Sequence, residues 1–298
     1  MEKKMNIIDG KQIADEIKSE IAAKVKSLLD KGKPAPHLAA VVVGNDGASL
    51  TYVQSIERAC REVGYISSVY KFPETTPEEE LISVISFLNE DDEIDGYILQ
   101  LPLPKHISSE KVIERINPKK DVDSLHPSNM GNLLLGEPLF VPATPYGTML
   151  LLERAGIETE GKHCVVVGRS NIVGKPLSML LSQKSAGGNA TVTVCHSHTQ
   201  NLQDVCREAD ILFVAIGKPE MITADYVKKG AVVVDIGVHR LPDPDNEKGY
   251  RICGDVKFDE VAPLCSQITP VPGGVGRLTM TALLLNVMKA YEGKVEEM

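Results

Sequence analysis

Apolar residues fall at helical spacing from the start of the chain. Ile13, Ile17, Ile21, Val25 and Leu28 recur every three or four positions and predict a helix that opens at Asp9 or Gly10. A continuous apolar run over Leu38–Val43 predicts a buried strand, ended by Gly44 and Asn45. Ser49 is then expected to cap a helix whose inner face carries Tyr52, Ile56, Cys60 and Val63. Thr76-Pro77-Glu78-Glu79 has the form of a capping box, and Leu81, Val84, Ile85 and Leu88 follow as the apolar face of a further helix. Gly96–Gln100 predicts the next strand, which must stop there because Pro102 and Pro104 cannot continue a ladder.

A second strand–helix series begins after Gly161. Its strands are expected at Val165–Val167, Thr191–Cys195, Ile211–Ala215 and Val232–Ile236. Strands that alternate with helices imply parallel sheets, so the fold class is α/β. Pro142, Thr144, Pro145 and Gly147 mark a crossover between the two series. After Pro270-Val271-Pro272-Gly273-Gly274, a helix from about Leu278 to Ala290 is apolar enough to return to the first series. Two domains are therefore expected: residues 1–146 together with 270–298, and residues 147–269. A length of 298 residues is enough for two proper cores.

Composition narrows the partners. Hydrophobic residues make up 43% and charged residues 24%, which is too apolar for a disordered chain. A formal net charge of -9 with no basic tract makes nucleic acid an unfavourable partner. The charged start, Met1-Glu2-Lys3-Lys4, leads into no apolar segment of the secretory kind, and no apolar run is long enough to span a bilayer. Cys60, Cys164, Cys195, Cys206, Cys253 and Cys265 are scattered, without a Cys-x-x-Cys pair or zinc spacing. They read as small buried hydrophobes of a cytoplasmic protein, with no metal site and no membrane.

The chemistry starts where the strand Cys164-Val165-Val166-Val167 runs into Gly168-Arg169-Ser170-Asn171-Ile172-Val173-Gly174-Lys175-Pro176 and then an apolar helix. Glycines let a backbone approach a pyrophosphate, and the helix N-terminus offers unpaired N–H groups and a positive dipole end. The run is not a full G-x-G-x-x-G, and a plain strand–turn–helix would share it. The following strand ends in His196 and Ser197, with no acid where an NAD site commonly holds one against the ribose. With Arg169 at the glycine loop, a cation and neutral donors favour the ribose phosphate of NADP over NAD. Ala215-Ile216-Gly217 and Asp235-Ile236-Gly237, with Val238 after it, close two more apolar strands with glycine. Each could be only a tight turn; together they favour cofactor contact.

Six motifs in chain order, Gln100-Leu101-Pro102-Leu103-Pro104, Lys120-Asp121-Val122-Asp123, Pro142-Ala143-Thr144-Pro145-Tyr146-Gly147, GRSNIVGKP, ATVTVCHS and Thr269 to Gly276, closely resemble methylenetetrahydrofolate dehydrogenase/cyclohydrolase. The resemblance runs from about residue 5 to residue 290. It implies an N-terminal α/β folate-binding lobe and a C-terminal Rossmann-like lobe that dimerises. It also implies oxidation of methylenetetrahydrofolate with NADP, followed by hydration of the methenyl cation to formyltetrahydrofolate. Carried over residue by residue, Asp123 matches the carboxylate that hydrogen-bonds the pterin, with a helix cap or turn former as the lesser alternative for an Asp there. Tyr52 matches the aromatic that lies against the folate, Gln100 the amide beside the reacting centre, and Pro272-Gly273-Gly274 the loop lining the folate pocket.

One departure stands out. The resemblance leads one to expect Tyr-x-x-x-Lys, and this chain has Ile56 in the lysine position, with Arg58 and Cys60 keeping the alignment in register. Isoleucine has no proton to move, so the expectation is a working dehydrogenase with weak or absent cyclohydrolase activity. The alternatives are full bifunctionality through another group, with His106, Lys105 and Glu57 nearest in sequence, or a non-catalytic dinucleotide-binding regulator. Smaller departures are Ala143 where cysteine is common, Ser124 where glycine is common, and Arg277 where proline is common.

Overall fold

A computed structural model describes residues 7–246 and 249–297; the charged start therefore lies outside the described residues. By contacts the chain divides into two units. One comprises Asp15–Ala143 and the residues from Met280 on; the other comprises the residues up to Ala14 and Thr144–Thr279. The contact division thus differs from the expected boundaries at both ends of the second unit. Residues 7–14 and 270–279 belong with the dinucleotide half, because Ile7 bridges Ile268 and the Ile8 N–H donates to the Ile268 carbonyl at 2.9 Å.

Chain order begins with α1 (Gly10–Asp30), β1 (His37–Val43), α2 (Gly47–Val63), β2 (Ile66–Phe72), α3 (Glu78–Glu90), β3 (Gly96–Leu99), α4 (Ser109–Ile113) and α5 (Pro127–Leu135). The three strands form a parallel sheet in the order β2-β1-β3. β1 and β3 are buried along nearly their whole length and read as continuous apolar runs. The core of this unit packs Leu81, Ile85 and Leu88 of α3 against Val41, Tyr97 and Leu99. Two expected caps are corrected. Asp46, not Ser49, caps α2: its carboxylate accepts from the Ser49 N–H at 2.8 Å, and Ser49 sits in the first turn. Asp46 lies one turn earlier, where the backbone is still extended, as a capping residue requires. No capping box forms at α3 either: Pro77 precedes its first residue without a side-chain bond, and the Glu78 carboxylate instead accepts from the Ser108 N–H at 2.7 Å.

The chain continues through α6 (Ala143–Arg154), β4 (His163–Val167), α7 (Gly174–Ser182), β5 (Thr191–Cys195), α8 (Leu202–Arg207), β6 (Ile211–Val214), β7 (Val232–Asp235), β8 (His239–Pro242), β9 (Tyr250–Cys253), α9 (Phe258–Val261), β10 (Gln267–Ile268) and α10 (Val275–Glu297). Five of the strands make a parallel sheet ordered β10-β7-β6-β4-β5, while β8 and β9 form a separate antiparallel hairpin. The order reverses direction after β4, and ligands of open parallel sheets bind where it does so. Val165, Val167, Leu212, Val214 and Val233 are buried at the centre of this unit's core. From Met280 on, α10 belongs to the first unit, where Asn286 Nδ2 donates to the carbonyls of Val122 and Val141, both at 2.8 Å. All six cysteines are free and buried. Among the described residues no helix is long and apolar enough to cross a membrane.

Candidate active site

In the first unit the site residues gather at the carboxyl ends of parallel strands. Gln100 follows β3 directly, and its N–H still donates to the Val41 carbonyl at 2.9 Å. Its side-chain amide donates to the Leu101 carbonyl at 2.8 Å, which fixes the direction of the group. The segment carrying Asp123 lies alongside β3: Tyr97 bridges Asp121 in parallel, and the Tyr97 N–H donates to the Lys120 carbonyl at 2.9 Å. Asp123, two residues past that bridge, therefore emerges at the same edge as Gln100.

The two carboxylates of Lys120-Asp121-Val122-Asp123 have separate jobs. Asp121 is buried and saturated: it accepts from the N–H groups of Leu125 (3.1 Å) and His126 (2.7 Å) and from Asn129 Nδ2 (2.9 Å). It holds the turn that leads into α5. Asp123 accepts nothing from the described residues. Burial, then the charge of Asp121, pushes its carboxyl up to about 6. The role of turn former, which the sequence left open for Asp123, thus falls to its neighbour. Directly after Asp123 the chain turns left-handed at the fully buried Ser124, with φ of 57°. This backbone explains why glycine suits the position; here serine offsets the strain by donating to the Phe140 carbonyl at 3.0 Å.

Tyr52 projects from the second turn of α2. Its phenol is held well above its ordinary value, first by burial and then by the nearby Asp123 carboxylate. Ile56, one turn further along, is 1% exposed. No cation is among the groups that act on Tyr52 or Asp123. Of the three sequence candidates for a substitute, His106 is engaged, its Nε2 lying 2.9 Å from the Thr76 carbonyl oxygen, and none of His106, Lys105 and Glu57 is among the groups that act on Tyr52 or Asp123.

The second unit holds the dinucleotide motif. Gly168 has φ of 141°, and a Cβ there would run into the Ala215 carbonyl oxygen; a Cβ on Gly174 would run into the carbonyl oxygen of Gly168. The loop between them is pinned by the Ser170 hydroxyl, which accepts from the N–H groups of Val173 (3.1 Å) and Gly174 (3.4 Å). Among the described residues nothing accepts from the N–H groups of Arg169, Asn171 or Ile172. That exposed set of donors at the start of a nine-residue helix fits a pyrophosphate. β4 and β5 pair with Val167 opposite Cys195, so Arg169 and Ser197 leave the sheet at the same level, both exposed. His196, just before Ser197, is half-buried, and its Nδ1 accepts from the His198 N–H at 3.2 Å.

Gly217 ends the chain past β6 with φ of 74°, and Gly237 lies past β7 against the Asp255 carboxylate. Val238 is 59% exposed beside Gly276. Pro272, exposed, and Gly273, half-buried, form the turn before α10, while Gly274 is buried against Gly10, where any side chain on Gly10 would meet its carbonyl. Asp255 was not among the residues the sequence pointed to, and its carboxylate takes three hydrogen bonds, from the N–H groups of Ile216 and Gly217 and from His239 Nε2.

Gly174→Ala is expected to destabilise the unit by about 1–3 kcal/mol, since the clash is with backbone that cannot swing aside. It should also weaken dinucleotide binding by about tenfold or more. Thermal melting and a fluorescence titration with NADP check both.

Comparison with known proteins agrees with this geometry. Residues 8–123 match the catalytic domain of tetrahydrofolate dehydrogenase/cyclohydrolase, and residues 142–295 match its NAD(P)-binding domain. The bifunctional protein FolD of Cytophaga hutchinsonii is 55% identical over 286 residues, covering 96% of this chain and 99% of its own. The crystal structure of the bifunctional enzyme FolD from Campylobacter jejuni superposes with a TM-score of 0.91 at 44% identity, covering 97% of this chain and 99% of that one. A Trypanosoma brucei FolD, solved with NADP cofactor and inhibitor, gives 0.91 at 36% identity, covering 97% and 98%. Its sequence, its fold and its paired domains all place the chain in the tetrahydrofolate dehydrogenase/cyclohydrolase family.

Proposed function

We propose that the protein oxidises methylenetetrahydrofolate to methenyltetrahydrofolate with NADP, and that its hydration of the methenyl cation is weak or absent. The observation that carries the reading is Asp123: a carboxylate without a protein donor, beside Tyr52 and level with Gln100 at the strand edge. Such a group is suited to accept the N–H donors of a pterin. Tyr52 offers its ring face to the folate and Gln100 a fixed amide at the reacting carbon.

On the cofactor side, the open N–H groups of the glycine loop suit the pyrophosphate, and Arg169 and Ser197 suit a ribose phosphate. Gly217, Gly237 and Val238 line the strand ends beyond. NADP supplies the hydride acceptor. The bridging carbon loses hydride with its bonding pair, and the folate nitrogen lone pairs delocalise the resulting cation. That step needs alignment more than a protein base.

Hydration is different, because water must lose a proton and a ring nitrogen must gain one. Ile56 can do neither, and the absence of any cation acting on Asp123 or Tyr52 supports the view that nothing has replaced the amine. A homodimer is part of the proposal; it is supported by β5 standing at the end of its sheet with Val194 exposed. Light scattering at micromolar concentration tests it.

The catalytic test follows NADPH and methenyl product separately. Methenyl that accumulates as fast as NADPH forms, and decays no faster than in buffer, is the expected result. Formyl product without methenyl would replace it with the bifunctional reading. No reduction of NADP or NAD would favour a binding protein.

A further inference from the structure

Three strand ends of the dinucleotide unit are locked together by two buried carboxylates. Asp255, which follows β9, is fully buried. Its Oδ2 accepts from the N–H groups of Ile216 (2.7 Å) and Gly217 (3.0 Å), and its Oδ1 lies 2.7 Å from His239 Nε2. Asp235, at the end of β7, accepts from the N–H groups of Gly237 (3.0 Å), Asp255 (3.0 Å) and Val256 (2.9 Å). The loops interlock: a Cβ on Gly237 would strike the Asp255 carboxylate, and one on Gly254 would strike that of Asp235.

This clasp sets the polarity of the backbone after β6. Because the N–H groups of Ile216 and Gly217 turn inward to Asp255, the trans peptides turn the carbonyls of Ala215 and Ile216 the other way. The Ala215 oxygen faces Gly168 of the glycine loop, where a Cβ would meet it. Neither carbonyl has a backbone donor among the described residues outside regular elements. The strand end thus turns the Ala215 acceptor toward the glycine loop and leaves the Ile216 carbonyl without a backbone donor, as a ligand with hydroxyl or amide N–H donors requires.

We infer that Asp255 and His239 are positioning residues for the nicotinamide nucleotide. Asp255 fixes the peptide orientation that exposes the Ala215 and Ile216 carbonyls, and His239 fixes Asp255 by donating to its second oxygen. Neither touches the reacting atoms. The inference rests on the proposed dinucleotide site, so wild-type binding of NADP is measured first.

His239→Ala, His239→Gln and Asp255→Asn are compared in the full-length protein by fluorescence titration with NADP, by thermal melting and by KM and kcat for each substrate. Gln can place an N–H close to the position of His Nε2 and is the rescuing variant. His239→Ala is expected to raise the Kd and KM for NADP about three- to tenfold. The KM for folate and the kcat at saturating NADP should stay within about twofold, and His239→Gln should recover most of the loss. Asp255→Asn should weaken NADP binding more than His239→Ala; if it does not fold, the His239 pair decides alone. Unchanged NADP affinity in folded His239→Ala overturns the inference, as does an equal fall of kcat that Gln does not rescue. Absence of binding by the wild-type protein overturns the dinucleotide site itself.

Discussion

Ile56→Lys is expected to raise hydrolysis of the methenyl cation by about a hundred- to ten-thousand-fold, with hydride transfer changed only severalfold. The range is that of a positioned acid–base group. The asymmetry follows from the chemistry, since only hydration needs protons carried to and from the folate. The neighbourhood is ready for an amine. Asp123 has neither a donor nor a cation acting on it, and burial, then the charge of Asp121, raises its carboxyl to about 6. A lysine one turn below Tyr52 would bring that carboxyl back toward its ordinary value and share its field. The substitution also places an amine where the side chain is 1% exposed, so a loss of a few kcal/mol in stability should accompany the gain. Ile56→Met controls for packing, because it keeps the apolar volume and supplies no proton. Methenyl absorbance in stopped flow, beside NADPH formation, reads both steps. If Ile56→Lys folds and the methenyl cation still decays at the buffer rate, position 56 is not what limits hydration.

Asp123→Asn should separate stability from function in opposite directions. A carboxyl raised from 3.8 to about 6 in the folded protein prefers to be protonated there. The fold therefore holds the proton more tightly than the unfolded chain does. The associated stability is present below about pH 4 and is lost as pH rises through about 6. At pH 7.5 the ionised group is a burden of up to about 3 kcal/mol. Asn carries no such burden, so the variant should melt several degrees higher than wild type at pH 7.5 and no higher near pH 4. It should at the same time lose folate affinity by about a hundredfold, because a neutral amide returns one acceptor where the carboxylate offered two. Calorimetric melting across pH and folate titration report the two effects. A variant that melts lower at pH 7.5 would show that Asp123 is tied into the fold.

Much of the parallel-sheet framework is legible in the sequence because its strands are buried along their length. Leu38–Val43 and Val165–Val167 are runs that only a buried strand explains. β2 is not legible in the same way: Ile66-Ser67-Ser68-Val69 is half exposed at a sheet edge, so its polar positions mask it. The hairpin of β8 and β9 is hidden for a similar reason, with Pro242 ending one strand and Arg240 and Arg251 pointing outward. Local chemistry also misleads at caps, where Asp46 and Ser49 are both plausible and only the backbone angles decide between them.

The site divides along the same line. Residues in compact motifs, such as Gly168 to Gly174, are marked locally, by glycines between an apolar strand and an apolar helix. The distinction between Asp121 and Asp123 cannot, since it depends on which carboxylate meets the N–H groups of residues 125 and 126. Asp255 lies 38 positions from the Gly217 it holds, and nothing local marks it.

The chain passes from one unit to the other at residues 14/15, 143/144 and 279/280. Exchange of the dinucleotide half between two related genes would need crossovers at all three. A single crossover at position 144 would join a foreign partner for Ile7 to a native Ile7–Ala14, across the very bridge that ties this segment to Ile268. Cofactor preference and folate chemistry are therefore expected to descend as one inheritance, and to change by point substitution far more readily than by shuffling.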